Sequence, residues 1–280
     1  DINLKKIKLK LDPLNFIIYT ETNGTTLFLS NRSLPLENVK SEFSINSLLK
    51  NNVSMSNIEI NTSSVLLNDL ISFVRLINNK PELFLLEKIV KQGNIILNLS
   101  INLDEDGNIK NDYKINGLVE NANIDLLNQG ELEKINFDFN LKKDAYIFNQ
   151  INFRFEKIKF SSEKLKIKRK KDIFLISGSV NNSQSSLNNS LIKLLNLNYK
   201  NLNVKDIKFK SKNNFTLEID NKLKINNINL NSDLDIDQLK YEKPEIVQTY
   251  ISNLNDLILL KDHKLSINYK KNNLIVSGEG

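Results

Sequence analysis

Ile135-Asn136-Phe137-Asp138-Phe139-Asn140-Leu141 is the stretch that decides the fold. Apolar side chains take every second position and amide or carboxylate side chains take the rest. A strand turns successive residues to opposite faces, so this order makes one apolar face and one polar face. The run Ile95-Ile96-Leu97-Asn98-Leu99-Ser100-Ile101-Asn102-Leu103 repeats the rhythm. Working outward, the same alternation fills most of the chain. It predicts a mainly β protein with a large, twisted antiparallel sheet forming an extended hydrophobic groove.

The pattern departs from this period in three places, which predict about three short helical insertions. Residues 1–62 read as strands, with Ile7, Leu9 and Leu11 alternating before Asp12-Pro13, and Asn23-Gly24 as a hairpin signal. Residues 63–92 read as a helical hairpin. Leu67, Leu70, Ile71, Val74 and Ile77 follow Ser63-Ser64 at helical spacing, Asn78-Asn79 closes the first helix, Pro81 opens the second, and Gly93 stops it. Residues 94–184 return to strands, with Asp106-Gly107 at a turn. A helix is expected over 185–197, with Leu187, Leu191, Leu194 and Leu195 as its stripe. Strands follow over 202–240. A third helix is expected over 243–260, opened by Pro244 and striped by Val247, Ile251, Leu254, Leu257 and Ile258. A terminal hairpin over 264–280 turns at Lys271-Asn272-Asn273.

The chain also echoes itself at an offset of about one hundred residues. Lys164-Leu165-Lys166-Ile167, Lys170-Lys171 and Leu175-Ile176-Ser177-Gly178 match Lys264-Leu265-Ser266-Ile267, Lys270-Lys271 and Ile275-Val276-Ser277-Gly278. The echo reads as a repeated β-hairpin.

Composition bounds the chemistry. The 280 residues hold 8 Gly, 4 Pro and no Cys, so disulfides and thiolate chemistry are excluded. Asn, which tolerates the left-handed turn conformation, makes up about one residue in six. AT-rich codon usage accounts for most of that excess, and no function is read from it. The net charge of +6 spreads over 39 basic and 33 acidic residues. No apolar run approaches the ~20 residues of a membrane helix. The chain starts at Asp1 without a Met, and a segment of a longer or processed protein is expected.

Catalytic signals are weak, and no catalytic residue, metal ligand or cofactor is expected. His263 is the one His and has no partner set for zinc or a hydrolytic triad; it reads as a polar residue in the turn before the last hairpin. Asp104-Glu105-Asp106-Gly107-Asn108 lacks the spacing of a calcium loop and reads as a hairpin turn. Lys164, Lys166, Lys168, Arg169, Lys170 and Lys171 form a basic strand without stacking aromatics, so nucleic acid is not an expected partner. That strand reads as a solvated face whose lysines deter edge pairing.

Interest therefore falls on the apolar face. Three helices cannot cover a sheet of roughly fifteen strands at ~5–6 residues each. Large uncovered apolar surfaces usually bind something. A face of Ile, Leu and Phe suits acyl chains, for which burial of ~16 carbons is worth on the order of 10 kcal/mol. The expected lining is Leu97, Leu99, Ile101, Ile135, Phe137, Phe139, Phe153, Phe160, Ile167, Phe174, Phe209, Leu217, Ile225 and Leu230. The alternative is a structural or adhesive β domain with a closed core.

Several stretches carry a family likeness. They are Leu70-Ile71-Ser72-Phe73-Val74-Arg75, Pro81-Glu82-Leu83-Phe84, Val90-Lys91-Gln92-Gly93 and the strand Asn94–Asp104, with Asn111-Asp112-Tyr113-Lys114-Ile115-Asn116-Gly117 and the closing Val276-Ser277-Gly278-Glu279-Gly280. In these the chain resembles the AsmA-like proteins of Gram-negative envelopes, the group that includes TamB and YhdP. The resemblance implies a periplasmic section of an inner-membrane-anchored protein. Its β-groove would carry phospholipids between inner and outer membrane in support of outer-membrane biogenesis, with both membranes and an envelope protein as partners. It implies no catalysis. The stretches that would encode anchoring and docking are not among those that match.

Overall fold

The computed structural model describes residues 2–45, 55–104, 108–110, 112–126, 130–188, 204–220, 224–242, 250 and 257–280. The fold is mainly β: the seventeen strands among the described residues belong to one antiparallel sheet. Two helices of more than a single turn occur among the described residues, α1 (Leu67–Ile77) and α2 (Pro81–Ile89). The chain divides into two compact units, residues 1–127 with 133–149, and residues 128–132 with 150–280.

The first unit contains β1 (Ile2–Asn3), β2 (Lys6–Asp12), β3 (Ile17–Asn23), β4 (Thr26–Leu29), β5 (Arg32–Ser44), β6 (Met55–Thr62), β7 (Val65–Leu66), β8 (Val90–Asn102) and β9 (Lys114–Asp125). It also holds most of β10 (Glu131–Lys142) and the start of β11 (Ala145–Phe155). Its ladder runs β2–β3–β5–β6–β8–β9, and β9 pairs with β10. Register sets Leu99 opposite Ile60 and Ile115, so the apolar residues of β6, β8 and β9 share one face. Phe139 reaches across to the place where a side chain at Gly117 would stand.

The helical hairpin packs on one end of that face, against β5, β7 and β8. Ile71 and Phe73 of α1 are buried there, as are Leu34, Leu36, Val65, Ile95, Val119 and Ala122 of the strands. Glu87 holds the two helices together. It accepts a hydrogen bond from Ser72 Oγ at 2.5 Å and pairs with Arg75 at 2.9 Å, whose guanidinium lies over the Phe84 ring.

The second unit holds the end of β11, then β12 (Ile158–Lys170), β13 (Ile173–Asn188), β14 (Val204–Asp220), β15 (Ile225–Glu242), β16 (Leu257–Lys270) and β17 (Asn273–Glu279). From β12 onward it is a plain antiparallel meander. The two echoed hairpins, β12–β13 and β16–β17, have the same register. Leu165 faces Gly178 as Leu265 faces Gly278, and Ile167 faces Ile176 as Ile267 faces Val276. Both turns place a Lys in the left-handed region, Lys171 at φ 51° and Lys271 at φ 49°.

Several sequence expectations are corrected. Asn23-Gly24 does not close a hairpin. β3 and β4 lie one after the other along the same partner, β5, and Gly24 at φ 65° bends the chain between them. Its N–H donates to Glu37 O at 2.9 Å, so the bend keeps the ladder closed. The reversal before β3 is fastened by Asp12, whose carboxylate accepts from Leu14 N, Asn15 N and Asn15 Nδ2. The Asn15 side-chain bond, followed by the backbone bonds, holds the Asp12 carboxyl below its usual 3.8.

Helix α1 starts after Leu66 and not at Ser63-Ser64, because Val65 and Leu66 pair with Ile95 and Asn94. Helix α2 ends at Ile89, and Val90–Gln92 belong to β8. Gly93 is therefore a strand bulge at φ 137°, pressed against Ala122, and not a helix stop. Ser186 and Asn188 continue β13 by pairing with Lys208 and Asp206. Leu257 and Ile258 belong to β16, opposite Glu242 and Tyr241. Backbone pairing overrides the helical spacing at those ends. Tyr250, within the expected third helix, is helical; Leu191, Leu194, Leu195, Val247, Ile251 and Leu254 lie outside the described residues. So do residues 105–107. The turn around them is closed by the Leu103–Ile109 bridge and by Asp104 Oδ1, which accepts from Asn108 N at 2.8 Å.

Candidate functional site: the apolar sheet face of the second unit

In the second unit each apolar row is set by register. Ile167, Ile176, Leu217 and Ile228 line up across β12–β15. Phe174, Ile219 and Ile225 make the next row, and Phe215, Leu230 and Tyr269 another. Phe209 and Ile236 continue the face toward its far end. Phe153 and Phe160 stack at 5.2 Å between ring centres. Most of these side chains are half-buried and Ile225 is exposed. Ile151 and Ile158 are the buried aliphatic residues among the described ones of this unit. The described helices pack elsewhere, on β5, β7 and β8. Among the described residues of this unit, the apolar face of β12–β17 is shielded by its own side chains and by no second layer.

A polar belt crosses that face. Ser162, Asn182, Ser211 and Ser232 are all buried. Ser211 Oγ donates to Asn182 Oδ1, Asn213 Nδ2 donates to Ser211 Oγ and to Val180 O at 2.8 Å each, and Ser232 Oγ donates to Asn213 Oδ1 at 2.6 Å. These small side chains sit low between Phe209 on one side and Phe215 on the other. Buried polar atoms need partners, and Asn182, Ser211, Asn213 and Ser232 supply them to one another, while Ser162 Oγ is buried without a hydrogen-bond partner. Alternating apolarity alone did not reveal it. The signal lies in the breaks of the pattern, Asn182, Ser211, Asn213 and Ser232, where polar residues stand at apolar positions.

The expected lining residues fall in both units. Leu97, Leu99 and Ile101 lie on β8, half-buried, on the apolar face of the first unit. Ile135 and Phe139 of β10 are buried, and Phe137 packs on Phe148 at 5.6 Å and on Phe139 at 6.1 Å. Phe153, Phe160, Ile167, Phe174, Phe209, Leu217, Ile225 and Leu230 belong to the second unit.

His263 stands in β16 opposite Ile236, not in a turn, and its Nδ1 lies 2.6 Å from Lys261 O. Arg169 does not share the outer face of its lysine neighbours. It sits opposite Phe174 with its guanidinium 5.8 Å from the ring centre, capping the apolar face.

The opposite face is charged. A trough of about 840 Å³ in the second unit is lined by Lys210, Asp233, Asp235 and Lys264 together with Leu234 and Leu265. Register alternates the sign across four strands: Lys210, Asp235, Lys264, Glu279. The first unit repeats this order as Lys8, Glu21, Lys40, Glu59. Opposite charges facing one another pin register more than they add stability.

Among the described residues no group of three acidic or His side chains is placed to hold a metal ion, and no helix is long and apolar enough to cross a membrane. No family model matches the chain, and no curated protein or solved structure matches it.

Proposed function

We propose that this chain is a section of a periplasmic lipid-transfer bridge, in an inner-membrane-anchored protein, that guides phospholipid acyl chains between the inner and outer membrane. One observation carries the reading: among the described residues of this unit, no helix or second sheet packs on the apolar face of β12–β17. Half-buried Ile, Leu and Phe rows in contact with water are costly at ~25 cal/mol per Å². An acyl chain lying on them removes that cost without needing a polar anchor. The resemblance to AsmA-like proteins supports the same function. Guidance is passive, and the reading assigns no catalysis, metal or cofactor.

The covered end of the first unit favours the structural reading for that part of the chain. Leu34, Leu36, Val65, Ile71, Phe73 and Ile95 are buried under α1 and make an ordinary core.

The test is to purify the chain without detergent and identify bound lipid by mass spectrometry. Stoichiometric phospholipid is expected, and its loss is expected in L217D/L230D, which charges that face. Clean, folded, lipid-free protein would end the reading in favour of the structural β domain. Charging Phe139 is a poorer probe, because it is buried and F139D is expected to disturb folding.

A further inference from the structure

We propose that the polar side of β12 docks on an anionic membrane surface, with Lys164, Lys166, Lys168, Lys170 and Lys171 meeting its head groups. Three observations carry it.

The lysines guard no edge. From the sequence they read as charges that deter edge pairing, but β12 is an inner strand, hydrogen-bonded to β11 on one side and β13 on the other. A strand paired on both sides needs no such protection.

The row also lacks acids. Elsewhere on the polar side register sets bases opposite acids, as in Lys8, Glu21, Lys40, Glu59 and in Lys210, Asp235, Lys264, Glu279. In β12 that order is broken: Lys166 stands opposite Ser177, Lys168 opposite Leu175 and Lys170 opposite Ile173. Neither flanking strand, β11 or β13, contains an Asp or a Glu. Along these rows the next acids are Glu218 and Asp220 of β14, two strands away, at about 10 Å by ladder spacing. Glu163 and Asp172 stand only at the two ends of the run. Among the described residues no ion pair reaches any of the five lysines. Lys164, Lys168, Lys170 and Lys171 are exposed and Lys166 is half-buried. Alternate residues of a strand are about 7 Å apart, so these like charges repel one another, and an external anion relieves the repulsion.

The neighbours select the kind of anion. Leu175 and Ile173 lie beside the lysines on the polar side, and Ile173 is 40% exposed next to the turn. Ammonium groups among aliphatic ones suit the head-group layer of a bilayer, where the charge meets phosphate and the aliphatic groups reach the acyl boundary. Single-stranded nucleic acid needs aromatic rings to stack its bases. The residues opposite Lys166, Lys168 and Lys170 include none, and Phe174 lies under Arg169 on the other side.

The proposal does not rest on the apolar face being a lipid groove. It is tested with the full chain by flotation on vesicles of equal parts phosphatidylcholine and phosphatidylglycerol, against vesicles of phosphatidylcholine alone. Binding is expected to the anionic vesicles only, weakened by added salt. Each lysine near such a surface is worth about fivefold, so K164Q/K168Q/K170Q should weaken binding about a hundredfold. K210Q/K212Q/K264Q removes the same charge from lysines that face acids and should change binding by less than about threefold. L217N/L230N, which alters the apolar face, should bind the anionic vesicles as the unaltered chain does, which separates this proposal from the lipid-bridge reading. Circular dichroism should report an intact sheet in every variant. Failure to float with anionic vesicles would overturn the proposal, as would equal binding to both kinds of vesicle. Equal weakening by the two triple variants would reduce the effect to net charge and overturn it too. Tighter binding to a single-stranded oligonucleotide than to the vesicles would assign the row to nucleic acid instead.

Discussion

Asn38, Asn61, Asn98, Asn116 and Asn140 show what the abundant amides do. They stand in one register row across β5, β6, β8, β9 and β10. Asn61 Nδ2 donates to Asn38 Oδ1 at 2.7 Å, Asn98 Nδ2 donates to Asn61 Oδ1, and Asn140 Nδ2 donates to Asn116 Oδ1. An amide carries both a donor and an acceptor, so one residue type can repeat along such a row, which Asp or Lys could not do without repulsion. The composition was legible and the ladder was not, because register alone decides which Asn residues face each other. Asn61 is half-buried and serves both neighbours, so N61A leaves a donor and an acceptor unmatched. It is expected to cost about 1–2 kcal/mol, read from urea unfolding, while the exposed Asn31 as N31A should cost close to nothing.

At the scale of the element, the echoed hairpins were legible from the sequence because their Leu, Ile and Gly recur at the same offsets. What was not legible is that β13 is enclosed by β12 and β14, while the pairing registered for β17 is with β16. This difference yields a prediction. A side chain at Gly178 would strike Leu165, and one at Gly278 would strike Leu265. Between two partners β13 cannot yield, whereas β17 is registered to one partner and can shift. G178V is expected to destabilise by about 2–3 kcal/mol and G278V by less than about 1 kcal/mol, compared by thermal melting. The helix starts and stops were misplaced for a related reason. Ser63-Ser64 and Gly93 are good local signals, but β7 and β8 gain a full ladder of backbone bonds by extending past them.

On the scale of the whole molecule, the two units differ in how they hide apolar surface. Among the described residues, the first buries a core under α1, and the second has mainly half-buried rows on a face that no described helix of its unit covers. Buried apolar area sets most of the stability of a domain. Calorimetry is therefore expected to give two transitions, the lower belonging to the second unit. Phospholipid present at about a hundred times its dissociation constant should raise the lower one by on the order of 10 °C and leave the upper one in place. A single cooperative transition unmoved by lipid would contradict both the division of stability and the lipid reading. F73A, which opens the core under α1, should lower the upper transition, with a cost of about 3–5 kcal/mol.

The sequence by itself determined that this protein is mainly β, that its strands are two-faced, and that a helical hairpin interrupts them near residues 67–89, because side-chain period is a local property of the chain. It also determined the Lys-containing turns of the repeated hairpins, where the residues adopt the left-handed conformation. Only the tertiary structure decided which strands are neighbours, and from that the amide row, the polar belt, the bend at Gly24 and the alternating charges from Lys8 to Glu59 and from Lys210 to Glu279. Each depends on residues far apart in sequence meeting at one register position, and register is a property of the assembled sheet.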